Sequence, residues 1–199
     1  MELSGASVAN AAAKIANTLV NEFDLEPGDR VGVHLPWHWQ RVTWLVGIWS
    51  AGCEVVPGGG AGCDLVVTGP REAAGLAGDV QVVSTHPFGM PLSPEQLAQL
   101  PAGAQDVTLL VRAQPDQQLF IGDHGDRLAI DGMTQKQLLG WGQTFATDHP
   151  ATTRLGIIPG DRQWWLPAIW PLVNSGSTVM GNPSEQNDMQ AEHIDALVS

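Results

Sequence analysis

The residues best placed to do chemistry lie in one short segment, Gly122-Asp123-His124-Gly125-Asp126-Arg127, between the apolar runs Gln118–Ile121 and Arg127–Ile130. Two carboxylates and an imidazole this close could exchange protons with a substrate or meet a divalent cation. The flanking glycines leave backbone amides accessible to an anion. A solvated turn between two strands calls for the same residues, because Gly and Asp tolerate the backbone angles that tight turns require. The turn explains every residue of the segment, so no catalytic residue and no metal ligand is assigned to it.

Other spacings carry less. His34 and His38 are four apart, but Pro36 separates them and no Glu follows His34, so they do not form a zinc-protease helix. Cys53 and Cys63 flank a glycine-rich stretch, too few for a disulfide framework and without the partners of a metal site. Both are read as small buried hydrophobes. Gly58-Gly59-Gly60 lacks GxGxxG spacing and leads toward a strand rather than a helix, which makes it a connector. Ser175 and Ser177 flank Gly176 with no nucleophile elbow around them.

The elements that must position these groups follow from hydrophobic spacing. Val8, Ala12, Ile15, Leu19 and Phe23 recur at helical intervals, which predicts a helix over Ser7–Phe23 capped by Ser7. A turn at Glu26–Asp29, a strand over Arg30–Leu35, a buried helix over Trp37–Ala51 and a strand over Cys53–Val56 come next. Strands are expected at Asp64–Thr68 and Asp79–Val83, a helix start at Ser93-Pro94, and a short helix from Asp106 to Val111. Gln118–Ile130 reads as a hairpin, followed by a helix from Thr134, a strand at Arg154–Ile158, a helix near Gln163–Val173 and a strand at Ser177–Met180. The rhythm predicts an α/β fold with a mostly parallel sheet flanked by helices. The expected divisions are a first lobe over 1–84, a connector over 85–116, a second lobe over 117–180 and a polar, at best weakly helical tail over 181–199.

Composition limits the partners. The formal charge is −12, from nine Lys and Arg against 21 Asp and Glu. Such a surface repels a nucleic-acid backbone and anionic membranes. No apolar stretch is long enough to span a bilayer, so a cytoplasmic protein is expected. The only lysines are Lys14 and Lys136. Eight tryptophans and no tyrosine are unusual, with Trp37, Trp39, Trp44 and Trp49 in one segment and Trp164, Trp165 and Trp170 in another. They serve either core packing or a Trp-rich surface for a protein partner or a second copy.

Several stretches in this order resemble the N-terminal part of the adenylate-forming superfamily, which includes acyl-CoA synthetases, non-ribosomal peptide adenylation domains and luciferases. Leu25–Pro36 is similar to the family's first turn and strand, and Trp44–Pro57 to its next helix and strand, with the Ala51-Gly52 stop intact. Asp64–Thr68 resembles the strand that follows, and Leu166–Met180 a later helix–strand pair. The chain is most similar to a short actinobacterial group with a degenerate phosphate loop. The resemblance implies the family's α/β fold. It also implies that the family's ATP-binding loop, rich in Ser, Thr and Gly and ending in Pro-Lys-Gly, falls at Ile121–Arg127. Here that loop is shorter and holds no Ser, Thr or Lys. The family's acyl pocket, adenine-binding motif and catalytic lysine fall beyond Ser199, so no catalytic residue carries over.

The sequence therefore predicts a truncated, non-catalytic relative that acts by binding a protein or a small ligand. No cofactor is expected, ATP and Mg²⁺ being disfavoured at the acidic loop. Two alternatives stand beside it: one part of a split or atypical adenylate-forming ligase completed by a partner chain, and a homo-oligomeric structural module.

Overall fold

The computed structural model describes residues 2–158, 160, 164–181 and 193–198. It divides into two compact units, Met1–Gln135 and Lys136–Ser199.

In the first unit, α1 spans Gly5–Asn21 and is capped by Ser4, whose hydroxyl accepts the Ser7 amide. The cap thus sits three residues ahead of the position the sequence suggested. Ile15 and Leu19, both essentially buried, form the core stripe of α1. The central strand β1 (Arg30–His34) buries its three middle residues. From β1 the chain crosses through α2 (Trp39–Ser50) to β2 (Glu54–Pro57), which pairs parallel to β1. It then returns to β1's other side as β3 (Leu65–Thr68). β3 is buried at every position, as expected of a parallel strand covered on both faces.

The sheet continues outward through β4 (Val80–Val82) and β5 (Gln105–Asp106), with the one-turn helix α3 (Pro94–Leu97) between them. A capping box formed by Ser93 and Gln96 starts α3. After β5, α4 (Thr108–Ala113) begins where the Asp106 carboxylate accepts the Thr108 amide. β6 (Leu128–Ile130) and β7 (Met133–Thr134) complete a seven-stranded sheet of order β5-β4-β3-β1-β2-β6-β7, parallel except for the last pair.

The expected hairpin over Gln118–Ile130 is corrected here. Its second arm is β6, but β6 turns back through Asp131-Gly132 into β7, and residues 118–121 form no strand. Asp131 and Gly132 both have positive φ, 51° and 77°, the backbone that a two-residue hairpin turn demands. The apolar run Leu119–Ile121 resembles a strand, but the Leu119 amide is bonded elsewhere, as described below.

Helices α1 and α2 cross at unusually short range. A Cβ added to Gly47 would lie 2.6 Å from Ile15 Cγ2, so only glycine admits this approach. The expected helix at Trp37 begins two residues later, because His38 caps it by accepting the Gln40 amide at Nδ1.

The second unit holds most of α5 (Gln135–Ala146) and a three-stranded parallel sheet. Its strands are β8 (Arg154–Ile157), β9 (Ser177–Met180) and β10 (Ala196–Val198), in the order β10-β8-β9. α6 (Leu166–Val173), with Pro171 inside it, joins β8 to β9. β10 corrects the expectation of a polar tail, since Ala196-Leu197-Val198 pairs with β8; residues 182–192 of that tail lie outside the described residues. An aromatic cluster fills this unit. Trp141 stacks on Phe145 at 5.3 Å and meets Trp165 edge-on at 4.7 Å, while His149 and Phe145 both abut Trp170.

Candidate functional site

The segment read as a strand is a strap held by side chains. Asn17, fully buried on α1, donates from its amide nitrogen to the Gln117 and Pro115 carbonyls at 2.9 and 3.3 Å. Its Oδ1 accepts the Leu119 amide at 2.9 Å. One Asn thus takes the place of the strand partner that this stretch lacks. One turn earlier, Lys14 donates to the Gln114 carbonyl and forms a 2.8 Å ion pair with Asp116. One turn later, Asn21 donates to Gln114, whose own amide donates to Glu22. On the far side, Gln118 donates to the carbonyls of Ser50 and Phe120 at 2.8 and 2.6 Å. The strap is pinned along α1 and to the end of α2.

Pinned this way, the strap turns its apolar side chains outward. Leu119, Phe120 and Ile121 are 55, 50 and 89% exposed. Together with Ala16 and Val20 of α1, Leu25, and Ala51 at the end of α2, they wall a half-open cleft of about 620 Å³. Its polar lining comes from Asn17, Glu26, Gln118 and His124.

The loop after the strap is closed on itself. The Asp123 carboxylate accepts the Gly125 amide at 3.0 Å, and the His124 carbonyl accepts the Arg127 amide at 2.9 Å. The His124 imidazole lies against Gly52 and Gly122. A Cβ at Gly52 (φ 79°) would stand 2.7 Å from Nδ1, and one at Gly122 2.7 Å from Cε1. The loop runs into β6, where the Trp49 indole donates to the Ala129 carbonyl and Gln135 donates to the Trp49 carbonyl.

A nucleotide triphosphate needs backbone amides turned toward it, hydroxyls and a nearby ammonium. Residues 121–127 provide no hydroxyl and no lysine, and two of their amides already serve their own loop. The ammonium of Lys14 is engaged by Asp116. This donor set does not fit a triphosphate. Among the described residues, no group of three His, Cys, Asp or Glu is placed to hold a metal ion.

The remaining candidates lie elsewhere in the framework. His34 ends β1 on the surface, and its carbonyl accepts the Thr68 hydroxyl. His38 serves as a helix cap, and burial lowers its pKa. Cys53 is fully buried; burial, with Asp29 and Asp64 nearby, pushes its thiol up to about 12. Cys63 is half-buried, its pKa also raised by burial, and neither cysteine is in a disulfide. Gly58, Gly59 and Gly60 all have positive φ and form a turn after β2. Ser177 accepts a hydrogen bond from Arg154. Trp44, Trp49, Trp165 and Trp170 are buried, and the other four tryptophans are half-buried. The feature that sequence reasoning missed is the Asn17 clamp, whose one signal was a polar residue within an apolar helix stripe.

Comparison with known proteins agrees with this framework. Over 147 residues the chain is 33% identical to a TIGR03089 family protein of Mycobacterium tuberculosis, an alignment covering 70% of this chain and 58% of that relative. The fold superposes on ATP-bound MatB from Rhodopseudomonas palustris with a TM-score of 0.74 at 18% identity, covering 99% of this chain and 44% of MatB. It superposes on the Brucella canis acyl-CoA synthetase with a TM-score of 0.76 at 18% identity, covering 99% of this chain and 42% of the synthetase. An amide bond synthetase from Marinactinospora thermotolerans matches at 0.68 and 16% identity, over 98% of this chain and 43% of that one. No protein-family model matches the sequence. The chain therefore has the fold of the N-terminal portion of the adenylate-forming, acyl-CoA synthetase-like enzymes, and it spans less than half of those chains. Among the described residues no helix is long and apolar enough to cross a membrane.

Proposed function

We propose that this chain keeps the adenylate-forming framework but acts by binding, without adenylating a substrate. The observation that carries the reading is the closed loop at Gly122–Arg127, where Asp123 and His124 occupy the amides of Gly125 and Arg127. ATP is the ligand of one matching structure, MatB. At the corresponding position here, a phosphate would meet two carboxylates and no lysine. Like charges at short range oppose binding, and no hydroxyl replaces the lost cradle. In place of a phosphate site, the neighbouring strap offers an apolar cleft of ligand size.

Calorimetric titration with Mg·ATP, together with ATP–pyrophosphate exchange across a panel of carboxylic acids, tests the reading. The expected result is no saturable heat and no exchange above background. Saturable ATP binding that is weakened by Arg127→Ala would overturn it, as would exchange with any acid.

A further inference from the structure

We infer that the cleft between α1 and the 118–124 strap binds a small lipophilic cation, an alkyl or aryl group bearing an ammonium. This rests on the reading that the position no longer serves a nucleotide, and it names the ligand chemistry that the same walls accept. The cleft volume of about 620 Å³ falls in the range of pockets that enclose small molecules. Its walls are apolar, and the side chains of Phe120 and Ile121 stand open to solvent beside Val20 and Leu25. The strap cannot fold inward to cover them, because Asn17, Lys14 and Gln118 fix its backbone. Apolar side chains fixed around a concave space of this size give a small ligand a surface on which to bury its own apolar groups.

Charge selects the head group. Glu26 lines the cleft, and its carboxylate takes no hydrogen bond or ion pair among the described residues. Glu22, Asp24 and Asp29 are close to it in sequence, and Glu26 is the carboxylate that lines the cleft. Two cations stand nearby. Lys14 is paired with Asp116, and the Arg127 guanidinium lies against Gly28. Glu26 lines the cleft, no Lys or Arg does, and the chain carries a formal charge of −12, so an ammonium at the cleft mouth is attracted and a carboxylate of equal chain length is repelled. The apolar tail fills the space along Val20, Leu25 and Phe120, and the head stays beside Glu26 in water.

The test uses the whole chain and three probes of one tail length, octylammonium, octanol and octanoate, each below its micellar concentration, with Mg·ATP as a fourth. Titration calorimetry is expected to rank octylammonium about fivefold tighter than octanol, and octanol tighter than octanoate. Glu26→Gln, at an exposed position, removes the preference for the ammonium and leaves octanol unchanged. Phe120→Ser combined with Ile121→Ser weakens all three amphiphiles, with the fold verified by circular dichroism. Octanoate binding as well as octylammonium, or ammonium binding that neither variant alters, overturns the inference. Failure of both octylammonium and ATP to bind also overturns it, while leaving the nucleotide reading intact. Saturable ATP binding instead overturns the reading beneath it.

Discussion

The α1–α2 contact and the 114–124 strap both hold to the same helix, yet by opposite means. Where α2 crosses α1, the contact is apolar and close, with Gly47 seated on Ile15 and nothing between them. Where the strap crosses α1, Lys14, Asn17 and Asn21 bind backbone or side chain at successive turns. The first contact follows hydrophobic spacing and close fit, and at Gly47 it admits no added carbon. The second depends on individual polar atoms. That contrast separates a contact set by shape from one set by a few named polar atoms.

The largest expected effect breaks the second region alone. Asn17→Leu, at a fully buried position, removes three hydrogen bonds to the strap and is expected to cost about 3 kcal/mol in urea unfolding. Hydrogen exchange at Leu119 should accelerate far more than in β1 or β3. Equal acceleration everywhere would mean that the strap and sheet form one cooperative unit. Gly47→Ala breaks the first region instead, forcing α1 and α2 apart at a cost of about 2 kcal/mol. Its exchange effect should appear in both helices and spare Leu119.

The smallest effect sharpens the comparison through pH. His38 caps α2 by accepting an amide at Nδ1, and burial holds its folded pKa below the usual 6.5. A base with a depressed folded pKa contributes stability that is complete above 6.5 and lost as pH falls through the folded value. Thermal unfolding from pH 7 to pH 5 should therefore show an acid loss of stability that His38→Asn, which keeps a capping oxygen, reduces. An unchanged acid slope in the variant would assign the loss to other groups.

The parts that were legible in the sequence are those governed by periodicity. Val31–Val33 and Leu65–Thr68 read as buried strands because parallel strands covered on both faces need unbroken apolar runs. The α1 stripe was equally plain. The strap was not, because Leu119-Phe120-Ile121 has the composition of a strand, and only the distant Asn17 decides that the Leu119 amide goes elsewhere. The β6–β7 turn was misplaced for a related reason. Both Gly122–Asp126 and Asp131-Gly132 carry turn residues, and pairing with β2 selects the second. The loop's lack of Lys, Ser and Thr is plain in the sequence, whereas its closure by Asp123 and His124 belongs to the folded backbone. β10 escaped notice because three apolar residues at the end of a polar stretch become a strand only through β8.

Lys14 is the sole lysine before residue 136. Any reagent that acylates side-chain amines therefore has a single address on the first 135 residues, and that address is the fastening between α1 and Asp116. Neutralising it would strip the ion pair and crowd the Gln114 carbonyl in one step, so the extent of modification becomes a direct gauge of how often that fastening comes undone.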